Sequence, residues 1–324
     1  MIGDFSMKII SVLDTTISDY NLGNQIIMEA VNDILDGLFW EDFVFRLQYA
    51  ERFGRQSLMH MRHSDYIFWG GTNALTSRMD KYKQMGFSLK DLLFVKDLIL
   101  LGVGWWQYQG KPNLYTRLFL RRLLSSERIH SVRDSYTEGM LKSIGIENVV
   151  NTSCPTVWGI TREHCRRIPT LKGKNVLTTT TDYAKNALLD EKLINILLSH
   201  YDYVYYWIQG VGDLDYINRM HIAERSRVKI VSPKLKAYDR ILESTDLDYI
   251  GTRLHAGIRA IQKRKRALIL ALDNRAEQIS KDIGLNVSPR GDFVAIERFI
   301  ESEYATELTI PMENIAQWKA QFKD

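Results

Sequence analysis

Short apolar runs alternate with longer stretches of helical periodicity along most of the chain. The first run, Lys8 to Leu13, is followed by a segment from Leu22 to Leu38 in which Ile26, Ile27, Ala30, Val31, Ile34 and Leu35 share one face of an amphipathic helix. Further strand-like runs come at Phe43 to Leu47, Asp65 to Trp69, Leu98 to Val103, Arg128 to Val132 and Asn148 to Thr152. The pattern restarts after Ile168-Pro169-Thr170-Leu171-Lys172-Gly173-Lys174, where breaker and basic residues cluster. Runs then recur at Asn175 to Thr179, Tyr203 to Ile208, Arg227 to Val231, Leu247 to Ile250 and Ala267 to Leu272, each followed by a helix-compatible stretch such as Leu188 to Leu198. Strand-helix alternation of this kind predicts an α/β protein with mostly parallel sheets. The expected architecture is two Rossmann-like, doubly wound domains facing across a cleft, residues 1–165 and 166–310. Pro311 stands at a helix start and Ile315, Trp318 and Phe322 follow at helical spacing, so residues 311–324 are expected as a C-terminal helix packing back on the first domain.

Length and composition agree with this picture. A chain of 324 residues is long for a single core, and 45% hydrophobic with 25% charged residues is ordinary for a globular protein. The net charge of +4 is spread along the chain and does not indicate nucleic acid. The one basic block, Lys263-Arg264-Lys265-Arg266, reads as a solvated helix C-terminus, where cations suit the macrodipole; docking to anionic lipid, a peripheral membrane association, is the alternative reading. The two cysteines, Cys154 and Cys165, form no CxxC pair, which argues against a zinc site or disulfide framework. No leader-like segment or run long enough to span a bilayer is present, so the expected location is the cytoplasm, including the inner face of the cell membrane.

Ligands of such folds gather at the carboxyl ends of the strands, and the residues there carry the candidate chemistry. After the first strand, Asp14 to Asn24 forms a polar loop containing Asn21 and Gly23, able to offer N–H groups to an anion or a sugar hydroxyl. It matches neither the GxGxxG nor the GxxxxGK[ST] phosphate loop, so neither NAD nor ATP is supported. Gly70, Gly71 and Thr72 end a second strand, and Gly102 and Gly104 a third, with Trp105 just beyond as a platform for a sugar ring. Arg133 follows another strand in Ser131-Val132-Arg133-Asp134-Ser135, where Asp134 or Ser135 caps a helix; in isolation it reads as a surface charge or an ion-pair partner of Asp134. The sharpest feature is Thr252-Arg253-Leu254-His255-Ala256-Gly257, directly after the apolar run Leu247 to Gly251. A guanidinium there offers a planar fork for carboxylate or phosphate, and an imidazole can move a proton near neutral pH. Other candidates are weaker. His60 and His63 have metal-compatible spacing but no third ligand nearby, and Asp213 and Asp215 read as helix-cap residues of a glycine-rich loop. The aromatic cluster Tyr201 to Trp207 reads mainly as a packed strand.

In order along the chain, Asn21-Leu22-Gly23, Trp69-Gly70-Gly71, Ser131-Val132-Arg133-Asp134-Ser135 with Lys142-Ser143-Ile144-Gly145-Ile146, Cys154-Pro155-Thr156 and Ile250-Gly251-Thr252-Arg253-Leu254-His255-Ala256 resemble the marks of the polysaccharide pyruvyl transferase family. The resemblance spans about residues 14 to 285. It implies a GT-B-like pair of domains that uses phosphoenolpyruvate to place a pyruvate ketal on two sugar hydroxyls in cell-surface polysaccharide synthesis (exopolysaccharide, capsule or wall-linked glycan). The acceptor would be a sugar or a nucleotide-linked or lipid-linked glycan, with no metal or nucleotide cofactor. It places Arg133, Arg253, Leu254 and His255 around phosphoenolpyruvate, with the arginines on its anionic groups and His255 as proton donor or acceptor. Three departures stand out. Thr72 replaces the third glycine of the usual cluster, Ser153-Cys154-Pro155 stands where Gly-Asp-Pro is common, and Asp273-Asn274-Arg275 where many relatives have a lysine. Arg275 keeps a cation that could touch an anionic group. The rival readings are a glycosyltransferase with a nucleotide-sugar donor on the same scaffold, and a sugar- or anion-binding relative without catalysis.

Overall fold

The computed structural model describes residues 7–82 and 84–323. The chain divides into two compact units, one formed by Met1–Asp19, Ile27–Trp158 and Pro311–Asp324, the other by Tyr20–Ile26 and Gly159–Ile310.

The first unit holds a six-stranded sheet of β1 (Ile9–Asp14), β2 (Phe43–Gln48), β3 (Tyr66–Gly70), β4 (Leu98–Val103), β5 (His130–Val132) and β6 (Val149–Asn151), in the order β2-β1-β3-β4-β5-β6. Every pairing is parallel, as the alternation of runs predicts. Central strands of such a sheet are covered on both faces, and all six residues of β4 are buried accordingly. The helix Met312–Ala320 belongs to this unit and packs on β5 and β6. Trp318, fully buried, meets the Phe68 and Trp158 rings edge-on at 6.1 and 5.7 Å, and Phe322 closes against Phe39, Tyr66 and Phe68. Gln321 adds two bonds to the Ile129 backbone, accepting from its N–H at 2.7 Å and donating to its carbonyl at 3.0 Å.

The second unit repeats the plan with β7 (Asn175–Thr178), β8 (Val204–Trp207), β9 (Val228–Val231), β10 (Leu247–Gly251), β11 (Ala267–Ala271) and β12 (Val287–Pro289), ordered β12-β11-β10-β7-β8-β9 and again wholly parallel. Its core joins Leu193, Ile194 and Leu197 of the helix Ala187–His200 to Tyr206, Ile250, Leu268, Ile296 and Ile300. Among the described residues, no helix is long and apolar enough to cross a membrane.

In the basic run after the helix Leu254–Gln262, Arg264 is exposed and Lys263 and Lys265 half-buried, and Arg266 alone departs from the solvated reading. Arg266 is 1% exposed, donates to the carbonyls of Thr170 and Phe299, lies 4.5 Å over the Phe299 ring and sits 3.7 Å from Asp248. A guanidinium can be buried this way because its donors find carbonyl acceptors while its flat face packs on an aromatic ring. Lys263 pairs with Glu243, and Lys265 donates to the carbonyl of Thr245. Two further elements carried no clear hydrophobic pattern: the helix Arg55–Arg62, in which only Met61 is buried, and the three-residue strand β12.

Candidate functional site

Each sheet reverses its strand order once, the first between β1 and β3, the second between β7 and β10. At such a reversal the connections diverge to opposite sides and leave a crevice beyond the strand ends, where ligands of open α/β sheets bind. In the second unit the crevice is flanked by Thr179–Asp182 after β7 and Thr252–His255 after β10. The two strand ends are stitched together. Thr252 donates its N–H to the Thr179 carbonyl at 2.9 Å, Thr181 and Thr252 share a hydroxyl bond of 2.8 Å, and Tyr249 donates its hydroxyl to the Arg253 carbonyl at 2.9 Å. Gly251 permits this approach, since a Cβ there would lie 2.7 Å from the Thr179 nitrogen.

Arg253 stands at the N-cap of the helix Leu254–Gln262 and is only 4% exposed. Nε donates to the Thr180 carbonyl at 3.0 Å, while Nη2 donates to Asp182 at 2.9 Å and to Asp213 at 2.9 Å. Nη1 takes part in none of these bonds. Burial pulls the Arg253 pKa down, but Asp213, Tyr183 and Asp182 more than reverse this, so the guanidinium is held above its ordinary value. Burial in turn lifts the Asp213 carboxyl above the usual carboxylate range, an effect that Arg253 and the Gly210 N–H only partly offset. Asp213 also accepts the N–H groups of Gln209 and Gly210 at 3.0 and 2.7 Å, and Asp182 accepts that of Gly212 at 3.0 Å. The loop after β8 is thereby wrapped around the two carboxylates that aim Arg253.

Arg253, Leu254, His255, Arg275 and Asn21 line one pocket with Tyr183, Gln209 and Thr252. Leu254 and His255 occupy the first turn of their helix and are 7% and 8% exposed. The first intrahelical bond runs from the Gly257 N–H to the Arg253 carbonyl, so the N–H groups of Leu254, His255 and Ala256 precede it. Such a helix start favours an anion. Arg275 is fixed by Asp273 through Nε and Nη2 and donates Nη2 to the Tyr183 hydroxyl at 3.0 Å, while the Tyr183 ring lies 5.2 Å from the Arg253 guanidinium carbon. Three aspartates, Asp182, Asp213 and Asp273, face the two arginines, so the pocket has no excess positive charge and offers directed donors instead. Among the described residues, no cluster of three or more His, Cys, Asp or Glu side chains could hold a metal ion.

The remaining candidates lie in the first unit, apart from Asn21 and Gly23, which belong to the second. Arg133, at the end of β5, is 2% exposed and donates Nε and Nη2 to Asp134 at 3.1 and 3.0 Å. The other Asp134 oxygen caps the helix Ser135–Lys142 through the Thr137 N–H at 2.8 Å. Gly104 packs against the Arg133 guanidinium so closely that any Cβ would collide with it. Trp105 is fully buried, its ring N–H bonded to Gln109 at 3.2 Å. Gly70 packs on Val31 and Met28, and Gly71 on Ile27. Thr72 and Ser153, the two residues standing where the resemblance expects glycine, both have left-handed backbone, with φ of 66° and 61°. Sequence reasoning assigned Asp213 to a cap, gave Asp182 no role and did not single out Gln209. Their common signal was position after a strand end of the second sheet.

These observations can be set beside known proteins. The family profile of polysaccharide pyruvyl transferase matches residues 21–274. The chain belongs to this family. The match covers the arginine-leucine-histidine triplet and begins at Asn21-Leu22-Gly23, and membership makes the protein a transferase. No curated protein sequence matches it significantly. Among solved structures, MnaA of S. aureus with UDP is similar at 11% identity and a TM-score of 0.53, over 92% of this chain and 89% of that one. The UDP-GlcNAc 2-epimerase of Methanocaldococcus jannaschii, solved with UDP-GlcNAc and UDP, is similar at 11% identity and a TM-score of 0.51, over 97% of this chain and 98% of that one. At this identity the likeness concerns the fold.

Proposed function

We propose that this protein transfers the pyruvate unit of phosphoenolpyruvate to two hydroxyls of a sugar, forming a ketal in cell-surface polysaccharide synthesis. The observation that carries the reading is the fixed Arg253 beside the helix start of Leu254 and His255, with Arg275 in the same pocket. That set offers a directed guanidinium, the N–H dipoles of a helix start and a second cation to a donor bearing a carboxylate and a phosphate. One sugar oxygen bonds to C2 as C3 takes a proton; phosphate then leaves with the C2–O electron pair, and the second sugar oxygen replaces it. Of the two hydroxyl protons, one ends in the new methyl group and the other on phosphate, so atoms and charge balance without a redox cofactor. His255 moves a proton between hydroxyl and donor, a role worth about 10²–10⁴-fold in rate. Arg133 of the family's valine-arginine-aspartate motif is held in place by Asp134.

The second reading is a nucleotide-sugar donor, favoured by the UDP-bound structures of similar fold. Thermal shift with phosphoenolpyruvate and with UDP, together with phosphate release over a panel of glycosides, separates the two. Phosphoenolpyruvate at 100 times its Kd should stabilise the protein by about 2.7 kcal/mol, and Arg253→Lys should remove that shift. Stabilisation by UDP alone, with no phosphate release from phosphoenolpyruvate, would overturn the pyruvyl reading.

A further inference from the structure

Gln209 follows β8, is 3% exposed and lines the pocket of Arg253, His255 and Arg275. The orientation of its amide is set by chemistry. Asn21 Oδ1 accepts the Gly23 N–H at 3.0 Å, which identifies that atom as the oxygen. Gln209 faces the same oxygen at 2.9 Å and must present Nε2 to it, because the flipped amide would bring two carbonyl oxygens together. Oε1 is thereby turned away from Asn21, and it is buried without a donor among the described residues. The backbone holds the residue from both sides, since its carbonyl accepts the Leu22 N–H at 3.1 Å and its N–H donates to Asp213 at 3.0 Å. A buried acceptor held this firmly and left unpaired is unusual in a folded protein and asks for a donor.

We infer that Gln209 recognises the acceptor, its Oε1 accepting a hydrogen bond from a sugar hydroxyl; naming that ligand a sugar rests on the pyruvyl-transfer reading. Phosphoenolpyruvate cannot fill the position, because as a full anion its carboxylate, ester and phosphate oxygens only accept. A hydroxyl can donate. The neutral amide also suits a place beside a bound anion, where a carboxylate acceptor would repel it. A Cβ on the adjacent Gly210 would lie 2.8 Å from Arg253 Nη2, so the hydroxyl acceptor and the anion donor group are near neighbours. The arrangement puts donor grip and hydroxyl recognition in one pocket.

The test uses the full chain with Gln209→Met, which keeps the length but loses the acceptor, and Gln209→Glu, which adds a charge. Methyl glycosides of glucose, galactose and mannose serve as probes, by saturation-transfer NMR and by phosphate release, and phosphoenolpyruvate affinity is measured by calorimetry. For Gln209→Met the expected result is a rise of about tenfold in glycoside KM, the worth of one hydrogen bond, with phosphoenolpyruvate Kd within about twofold of wild type. Gln209→Glu should weaken phosphoenolpyruvate by about tenfold or more through its charge. Unchanged glycoside binding in Gln209→Met with a melting temperature like wild type, or an equal loss of phosphoenolpyruvate affinity, overturns the inference. If the wild type binds no phosphoenolpyruvate, the pyruvyl reading falls by itself, and Gln209 is judged on glycoside NMR alone: signal lost in Gln209→Met supports it, and no glycoside signal with wild type overturns it.

Discussion

Replacing Ser153 by glycine should make the protein more stable. Ser153 is fully buried with φ at 61°, and its hydroxyl has no partner among the described residues. The left-handed conformation costs an L-residue about 1–2 kcal/mol because Cβ crowds the following carbonyl, a penalty glycine does not carry. An unpaired buried hydroxyl costs about 1–3 kcal/mol more. Against this, glycine loses about 0.5–1 kcal/mol through the greater freedom of the unfolded chain, and a small void replaces the hydroxymethyl group. A net gain of about 1–2 kcal/mol remains, a rise of roughly 2–4 °C in Tm per kcal/mol for a unit of this size. The bond from the Ser153 N–H to Asn151, 2.9 Å long, does not involve the side chain and survives the change. Urea and thermal denaturation of Ser153→Gly and Ser153→Ala measure the two contributions separately, because alanine removes the hydroxyl but keeps the strained Cβ. Glycine should exceed wild type, with alanine below glycine. A Tm for Ser153→Gly at or below wild type would refute the reasoning, and equal gains for glycine and alanine would show that the backbone stores no strain.

Three other outcomes follow from the same geometry. Arg253→Met leaves Asp213, fully buried, without its counter-cation, and should cost about 3–5 kcal/mol. A carboxyl whose folded pKa is raised favours the fold at low pH and loses that advantage as pH rises, so urea denaturation should show a larger loss at pH 7.5 than at pH 5; equal losses would contradict it. His130 is fully buried with its pKa depressed to about 4 by burial, Nε2–H donating to the Ser125 carbonyl and Nδ1 accepting the Leu100 N–H. The unfolded chain then binds the proton more readily, so His130 contributes no penalty above about pH 6.5, and about 2 kcal/mol should be lost between pH 7 and 5, a loss His130→Gln should lack. Gly104→Ala pushes the Arg133 guanidinium off Asp134 and should lower stability by about 1–3 kcal/mol; an unchanged Tm would show that Arg133 moves freely.

Eleven of the twelve strands were legible because each is a short apolar run bounded by polar residues, and burial on both faces of the central ones leaves little else for such runs to be; β12, three residues long, was not. The helix Arg55–Arg62 was not, since one buried residue in eight gives no periodicity to read. The site was legible as positions after strands: Arg253, His255, Arg275 and Asn21 share a pocket that the strand order of the second sheet creates. What holds Arg253 was not legible. Asp213 and Asp182 lie 40 and 71 residues from it in sequence, and an aspartate at a helix start looks the same whether or not an arginine reaches it. Arg266 shows the converse error: among three other basic residues it looks solvated, and only the fold reveals the carbonyls and ring that receive it.

The helix Met312–Ala320 has a consequence for how the protein is made. Trp318 and Phe322 complete the aromatic core around Phe68, yet they leave the ribosome after every residue of the second unit. While about 150 further residues are synthesised, Phe39, Tyr66 and Phe68 of the first unit lack the rings that cover them, so this patch is completed last. Between the synthesis of Trp158 and that of Trp318 the nascent first unit carries an uncovered aromatic patch, the kind of surface that chaperones bind.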